Sequence, residues 1–153
     1  MTALGDFSSG DVLTAADMNA IGTWITFTPS WNNFTAGNAV QDWSYCIIND
    51  LMIVTGRTVL GTTSSMGTSP SFTIPDSRVA DKWASNGGVL LRESGVATRV
   101  GTIGVNGPGD TTIGFSAYLV SGSELRVTSI TSSVPFTWGN GSYITGTLVL
   151  DVT

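Results

Sequence analysis

The chain has 153 residues, of which 41% are apolar and only 11% charged, with 19 glycines and about a quarter of its positions serine or threonine. That balance rules out a coiled-coil rod, which needs more Glu, Lys and Leu, and a disordered tail, which needs more charge and less apolar mass. Six basic residues stand against eleven acidic ones, for a net charge of −5. Arg57, Arg78, Lys82, Arg92, Arg99 and Arg126 are scattered, so no nucleic-acid partner is expected, because such binding rests on neutralising phosphates.

No apolar run approaches the ~20 residues of a membrane-spanning helix, so no membrane insertion is expected. The polar, acidic start does not read as a signal peptide. Cys46 is the single cysteine and lies beside Tyr45, Ile47 and Ile48. It reads as a small buried hydrophobe with no disulfide partner in the chain.

The first predicted element is a short helix over residues 13–22. Thr14 stands at the N-cap with Asp17 three residues on, Leu13 and Met18 are spaced for a hydrophobic staple, and Gly22 is a stop. Two turns are unstable alone in water, so Leu13, Met18 and Ile21 must dock either on their own domain or on a neighbouring chain. These readings divide the chain into an anchoring or assembly segment, 1–23, and a β domain, 24–153.

After Gly22 the pattern changes to strands. Residues 24–28 form a first strand ended by Pro29, and Trp31 and Phe34 bracket a turn at Asn32-Asn33. Residues 40–48 and 51–60 form a hairpin around Asn49-Asp50, residues tolerant of the positive φ of a type I′ turn. With that loop Trp43 faces Gly56, Tyr45 faces Val54, Ile47 faces Met52, Ser44 faces Thr55 and Asp42 faces Arg57, so side-chain size, polarity and charge all match. Residues 61–71 read as a loop, 72–74 as a short strand, and 76–86 as irregular with at most one helical turn. Strands at 88–92 and 98–105 pair across Ser94-Gly95, and Asn106 to Asp110 make a turn. A hairpin of 111–120 with 124–130 around a three-residue loop would set Leu119 opposite Leu125 and Ala117 opposite Val127. After a turn at Trp138 to Gly141, the closing strand puts Ile144, Leu148, Leu150 and Val152 on one side and Tyr143, Thr145 and Thr147 on the other. Eight or nine short strands with tight turns predict an all-β fold, an antiparallel β-sandwich of jelly-roll type with one short N-terminal helix.

Histidine is absent, which removes the commonest general base and metal ligand. Glu93 and Glu124 both adjoin turns and read as solvated. Asp76 with Asp81, and Asp6 with Asp11, lack the spacing of a calcium loop. No catalytic residue, metal site or cofactor is expected. Five tryptophans are many for so few charges. Trp43 is assigned to the core, and Trp24 and Trp31 to the first-strand region. Trp83 and Trp138 fall in loops with Asn86, Asp110 and Asn140 in reach. Flat rings beside short polar groups suit a saccharide, and they equally suit covering the ends of a sandwich or a subunit contact.

The run Gly10-Asp11-Val12-Leu13-Thr14-Ala15-Ala16-Asp17-Met18-Asn19 resembles the G-x-x-L-T-A-A-x-x-N segment of tailed-bacteriophage tail and fibre proteins. Thr28-Pro29-Ser30-Trp31, Gly56-Arg57 and the run from Ser64 to Pro75 are similar to the β-rich domain of phage minor tail proteins, above all those of phages of actinobacteria. The resemblance covers residues 7–75. It implies a non-enzymatic structural protein, surface-exposed on the virion, associated with the tail tip or fibre and contacting the host envelope after synthesis in the bacterial cytoplasm. The implied partners are other virion proteins, two further copies in a homotrimer closed around Leu13, Met18 and Ile21, and a host cell-surface glycan. Minor tail proteins carry a longer anchor or shaft ahead of such a domain, so a capsid decoration or head-fibre protein is an alternative. A free carbohydrate-binding module is a third reading.

Overall fold

A computed structural model describes residues 22–82 and 87–153. The expected helix with Leu13, Met18 and Ile21, and the loop residues Trp83 and Asn86, lie outside the described residues. Ten strands run in chain order as β1 (Ile25–Phe27), β2 (Trp31–Thr35), β3 (Val40–Ile48), β4 (Leu51–Val59), β5 (Ser65–Thr73), β6 (Gly87–Arg92), β7 (Thr98–Gly104), β8 (Thr112–Ser121), β9 (Glu124–Ser129) and β10 (Tyr143–Asp151). All pairings are antiparallel. The chain is therefore all-β, and its strands join in one hydrogen-bonded path, β1-β3-β4-β10-β6-β7-β8-β5-β2, with β9 also on β8.

That path curls. β1 and β2 stand at its two ends, yet only residues 28–30 separate them along the chain. Trp43 of β3 reaches Phe72 of β5 at 5.0 Å and Phe115 of β8 at 6.3 Å between ring centroids. Trp31 of β2 lies against Phe72 at 5.3 Å and stacks on Phe115 at 5.8 Å. Alternation does the rest: Met52, Val54, Leu91, Ile103, Ile113, Ile144 and Leu148 all point inward into the same core. The Trp43 indole N–H donates to the buried Thr58 hydroxyl at 2.8 Å, which satisfies both polar groups.

The β3–β4 register is the one the sequence predicts, with Trp43 facing Gly56, Tyr45 facing Val54 and Asp42 facing Arg57. The turn differs. Only Asn49 of the pair has positive φ, 56°, so it is not type I′, which needs positive φ at both residues. Three further expectations are corrected. Trp31 to Phe34 is strand β2, with Asn33 (φ 55°) at a register shift in its pairing with β5. Most of the expected 61–71 loop belongs to β5, whose Ser69 (φ 53°) accommodates the same irregularity. The β8–β9 loop has two residues: Gly122 takes φ 66°, Ser121 faces Glu124, and Leu119 faces Arg126. The slip sets Tyr118 opposite Val127 and Val120 opposite Leu125. Val120, Leu125 and Val127 are left exposed on one side.

The outer face is hydroxylated. Ser44, Thr55, Thr147, Gly88, Thr102 and Ser116 stand in one register row across β3, β4, β10, β6, β7 and β8. Gly88 is the gap in it.

Two predictions follow from the core. A Cβ on Gly56 would sit 2.6 Å from the Trp43 ring and against the Asp42 carbonyl. Gly56→Ala should therefore lower stability by about 2–3 kcal/mol, read as a fall in urea midpoint; an unchanged midpoint would refute this packing. Tyr45 is buried, and its phenol is raised above the ordinary 10.0, first by that burial, then by the Asp76 carboxylate, with Arg78 opposing. The folded state thus keeps its proton where the unfolded chain has lost it. Its contribution is whole below pH 10 and is lost as pH rises through the raised folded value. Urea midpoints measured from about pH 9 to 11 should fall less in Tyr45→Phe than in the parent.

Candidate functional site

The curled sheet has two ends, and β10 spans the distance between them. At one end Val152 donates its N–H to the Asp50 carbonyl (2.8 Å), and Ala80 bridges Val152. Asp110 belongs here, because the Ala80 N–H donates to its carbonyl at 2.8 Å. Its carboxylate accepts the Asn106 N–H at 2.6 Å, so this side chain closes the Asn106 to Asp110 turn.

Trp138 and Asn140 stand at the opposite end, just ahead of Tyr143, where β10 begins. Nine strand residues put the two ends roughly 25–30 Å apart. Asp110 therefore does not converge with Trp138 and Asn140. The Trp138 indole N–H donates to the Val134 carbonyl at 3.2 Å, and its ring packs 4.5 Å from Phe136. It is half-buried over the core. Buried Ser142 ties the turn down, accepting from the Gly139 N–H at 3.2 Å and from the Ser94 N–H at 3.4 Å. Asn140 is the exposed tip.

The other chemically equipped residues are dispersed. Glu124 pairs with Arg126 at 2.9 Å, Lys82 with Asp151 at 3.2 Å and Asp76 with Arg78 at 3.5 Å, all near solvent. Cys46 is buried. Among the described residues no group of three or more Cys, Asp or Glu side chains is placed to hold a metal ion.

A constellation that sequence reasoning missed lies on the outer face beside the Trp138 turn. Tyr143 of β10 is flanked by Arg92 of β6, its direct partner, and by Arg57 of β4, which faces Thr145. Both guanidinium carbons lie 5.9 Å from the ring centroid, within the range of cation–π attraction. Neither arginine forms an ion pair among the described residues; Asp42, across from Arg57, stays beyond 4.0 Å. Next to them, over the Gly88 gap, lies an open depression of about 440 Å³ lined by Leu90, Val100, Thr145 and Thr147. Sequence offered one clue to this site, the outward alternation of Tyr143, Thr145 and Thr147. The pairing of β10 with both β4 and β6 carries no local signal.

No protein-family model matches the chain, and no curated protein or solved structure does either.

The packing of Trp138 is testable. Trp138→Ala should cost about 2 kcal/mol, below the range for fully buried aromatics, whereas Asn140→Ala should be within ~0.5 kcal/mol of the parent. Equal thermal midpoints for the two variants would remove the structural role given to the indole.

Proposed function

We propose that the chain is a non-enzymatic structural protein of a bacteriophage virion, exposed at the tail tip or on a fibre and contacting the host envelope. The observation that carries this reading is the resemblance of residues 7–75 to phage tail proteins, above all the Gly10 to Asn19 run. The all-β body is compatible with it. A single core braced by rings makes a stiff platform, and its outer surface offers hydroxyls and turns. In this reading the curled sheet works as a flattened sandwich of the jelly-roll kind, its halves meeting through Trp43, Phe72 and Phe115. Assembly as a homotrimer through Leu13, Met18 and Ile21 belongs to the same proposal. The exposed Val120, Leu125 and Val127 are apolar surface of the sort that association covers.

Antibody labelling of purified particles tests the location. Label at the tail tip is the expected outcome, label over the head would replace the tail reading with capsid decoration, and particles lacking the protein would overturn both. Light scattering tests the assembly. The full chain should show three times the monomer mass, and a variant beginning at Trp24 should show the monomer mass. If both are monomers, the trimer and the role given to the helix fall together.

A further inference from the structure

We propose that Arg57, Tyr143 and Arg92, with the adjoining depression over Gly88, form a binding site for an acidic saccharide, a sugar bearing a carboxylate or phosphate oxyanion. Three observations meet at one place on the outer face. The first is charge. The chain is net −5, and Arg78, Lys82 and Arg126 each have a carboxylate partner. Among the described residues Arg57, Arg92 and Arg99 have none, and the first two are drawn to the same ring. Two like charges held around one aromatic repel each other, and Asp42, across from Arg57, does not close to an ion pair. An oxyanion bound between them relieves that repulsion and gains charge-assisted hydrogen bonds from planar donors suited to carboxylate and phosphate.

The second is shape. A Cβ on Gly88 would meet nothing within 4 Å, so the glycine leaves room that its neighbours do not fill. The depression of about 440 Å³ above it falls within the size range of small-ligand sites. The third is the lining. Leu90 and Val100, 45% and 54% exposed, offer an apolar surface for the C–H face of a sugar ring. Thr145 donates to the Gly56 carbonyl at 3.0 Å, and Thr147 shares a 2.7 Å hydrogen bond with Thr55. Both hydroxyls keep acceptor capacity for sugar O–H donors. Register holds these parts together: Arg57 and Leu90 both face Thr145, Arg92 faces Tyr143, and Gly88 faces Thr147.

As a host-envelope contact this site rests on the virion reading, but its geometry is independent of that reading. The test therefore uses the purified full chain. Three probes are titrated while Tyr143, Thr145 and Thr147 resonances are followed by NMR: an oligogalacturonate, a glycosylated poly(glycerol phosphate), and a neutral maltooligosaccharide. At least one acidic probe should shift these resonances with a millimolar or tighter Kd, the neutral one should not, and added salt should weaken binding. The identity of the active probe decides between carboxylate and phosphate. Arg57→Gln and Arg92→Gln should each weaken binding about tenfold or more. Gly88→Trp should abolish it with the fold intact by circular dichroism, since the new side chain enters open space. The proposal is overturned if neither acidic probe moves these resonances, if the neutral probe binds equally well, or if binding survives the double arginine variant. Protein missing from virions would leave this result standing, and failure here would leave the virion location untouched.

Discussion

Ring-to-ring contact across the core is the constraint on which this molecule depends. Trp43 sits on the second strand of the hydrogen-bonded path, while Phe72 and Trp31 sit on the last two. Their centroids nevertheless lie 5.0 and 6.5 Å from that of Trp43. A flat sheet cannot bring them together. Strand twist supplies the direction of curling, and burial of large aromatic surfaces supplies the drive. Glycine at position 56 is the steric condition for it, since the strand must pass close under the Trp43 ring. The positions of the turns at both ends then follow from a sheet that is already curled.

The described exterior carries hydroxyls, scattered apolar groups such as Val100, Val120 and Leu125, and few charges. On a densely charged surface two unpaired arginines would be lost among counter-charges. Here the background is weak, and salt screening reaches only ~8–10 Å at ordinary ionic strength. Arg57 and Arg92, which form no ion pair among the described residues, therefore stand out on their own patch. The same scarcity of charge gives the surface little general affinity, so recognition rests on where the few ions stand.

How much of this could be read beforehand depended on whether the relevant information was local. The β3–β4 hairpin was legible residue by residue, because only one register matches Trp43 with Gly56 and Asp42 with Arg57 together. The sides of β10 were legible because Ile144, Leu148 and Leu150 alternate cleanly with polar residues. β2 and β5 were hidden: Asn32-Asn33 has turn chemistry, and the run from Ser64 to Ser71 has loop composition, yet tertiary pairing holds both in a sheet. The β8–β9 register was misjudged because β8 carries apolar residues on both sides, Leu119 on one and Val120 on the other, and either could face the apolar side of β9 formed by Leu125 and Val127. Sidedness therefore could not choose between a loop of two residues and one of three. The Trp138 turn was recognised, but its distance from Asp110 follows only from how β10 crosses the sheet. The Arg57–Tyr143–Arg92 group was invisible for the same reason, being assembled by three strands far apart in sequence.

The placement of β10 also sets the order in which the molecule can be made. The last of the described strands lies inside the path, between β4 and β6. During synthesis the β3–β4 hairpin and the β6–β9 ribbon therefore each wait with an open edge, the kind of surface that pairs with other chains. Neither half is finished until residues 143–151 have left the ribosome and slotted between them. Closure of the sheet therefore waits for that strand and is dominated by contacts distant in sequence. A nascent copy is most vulnerable to aggregation in the interval before that last strand arrives.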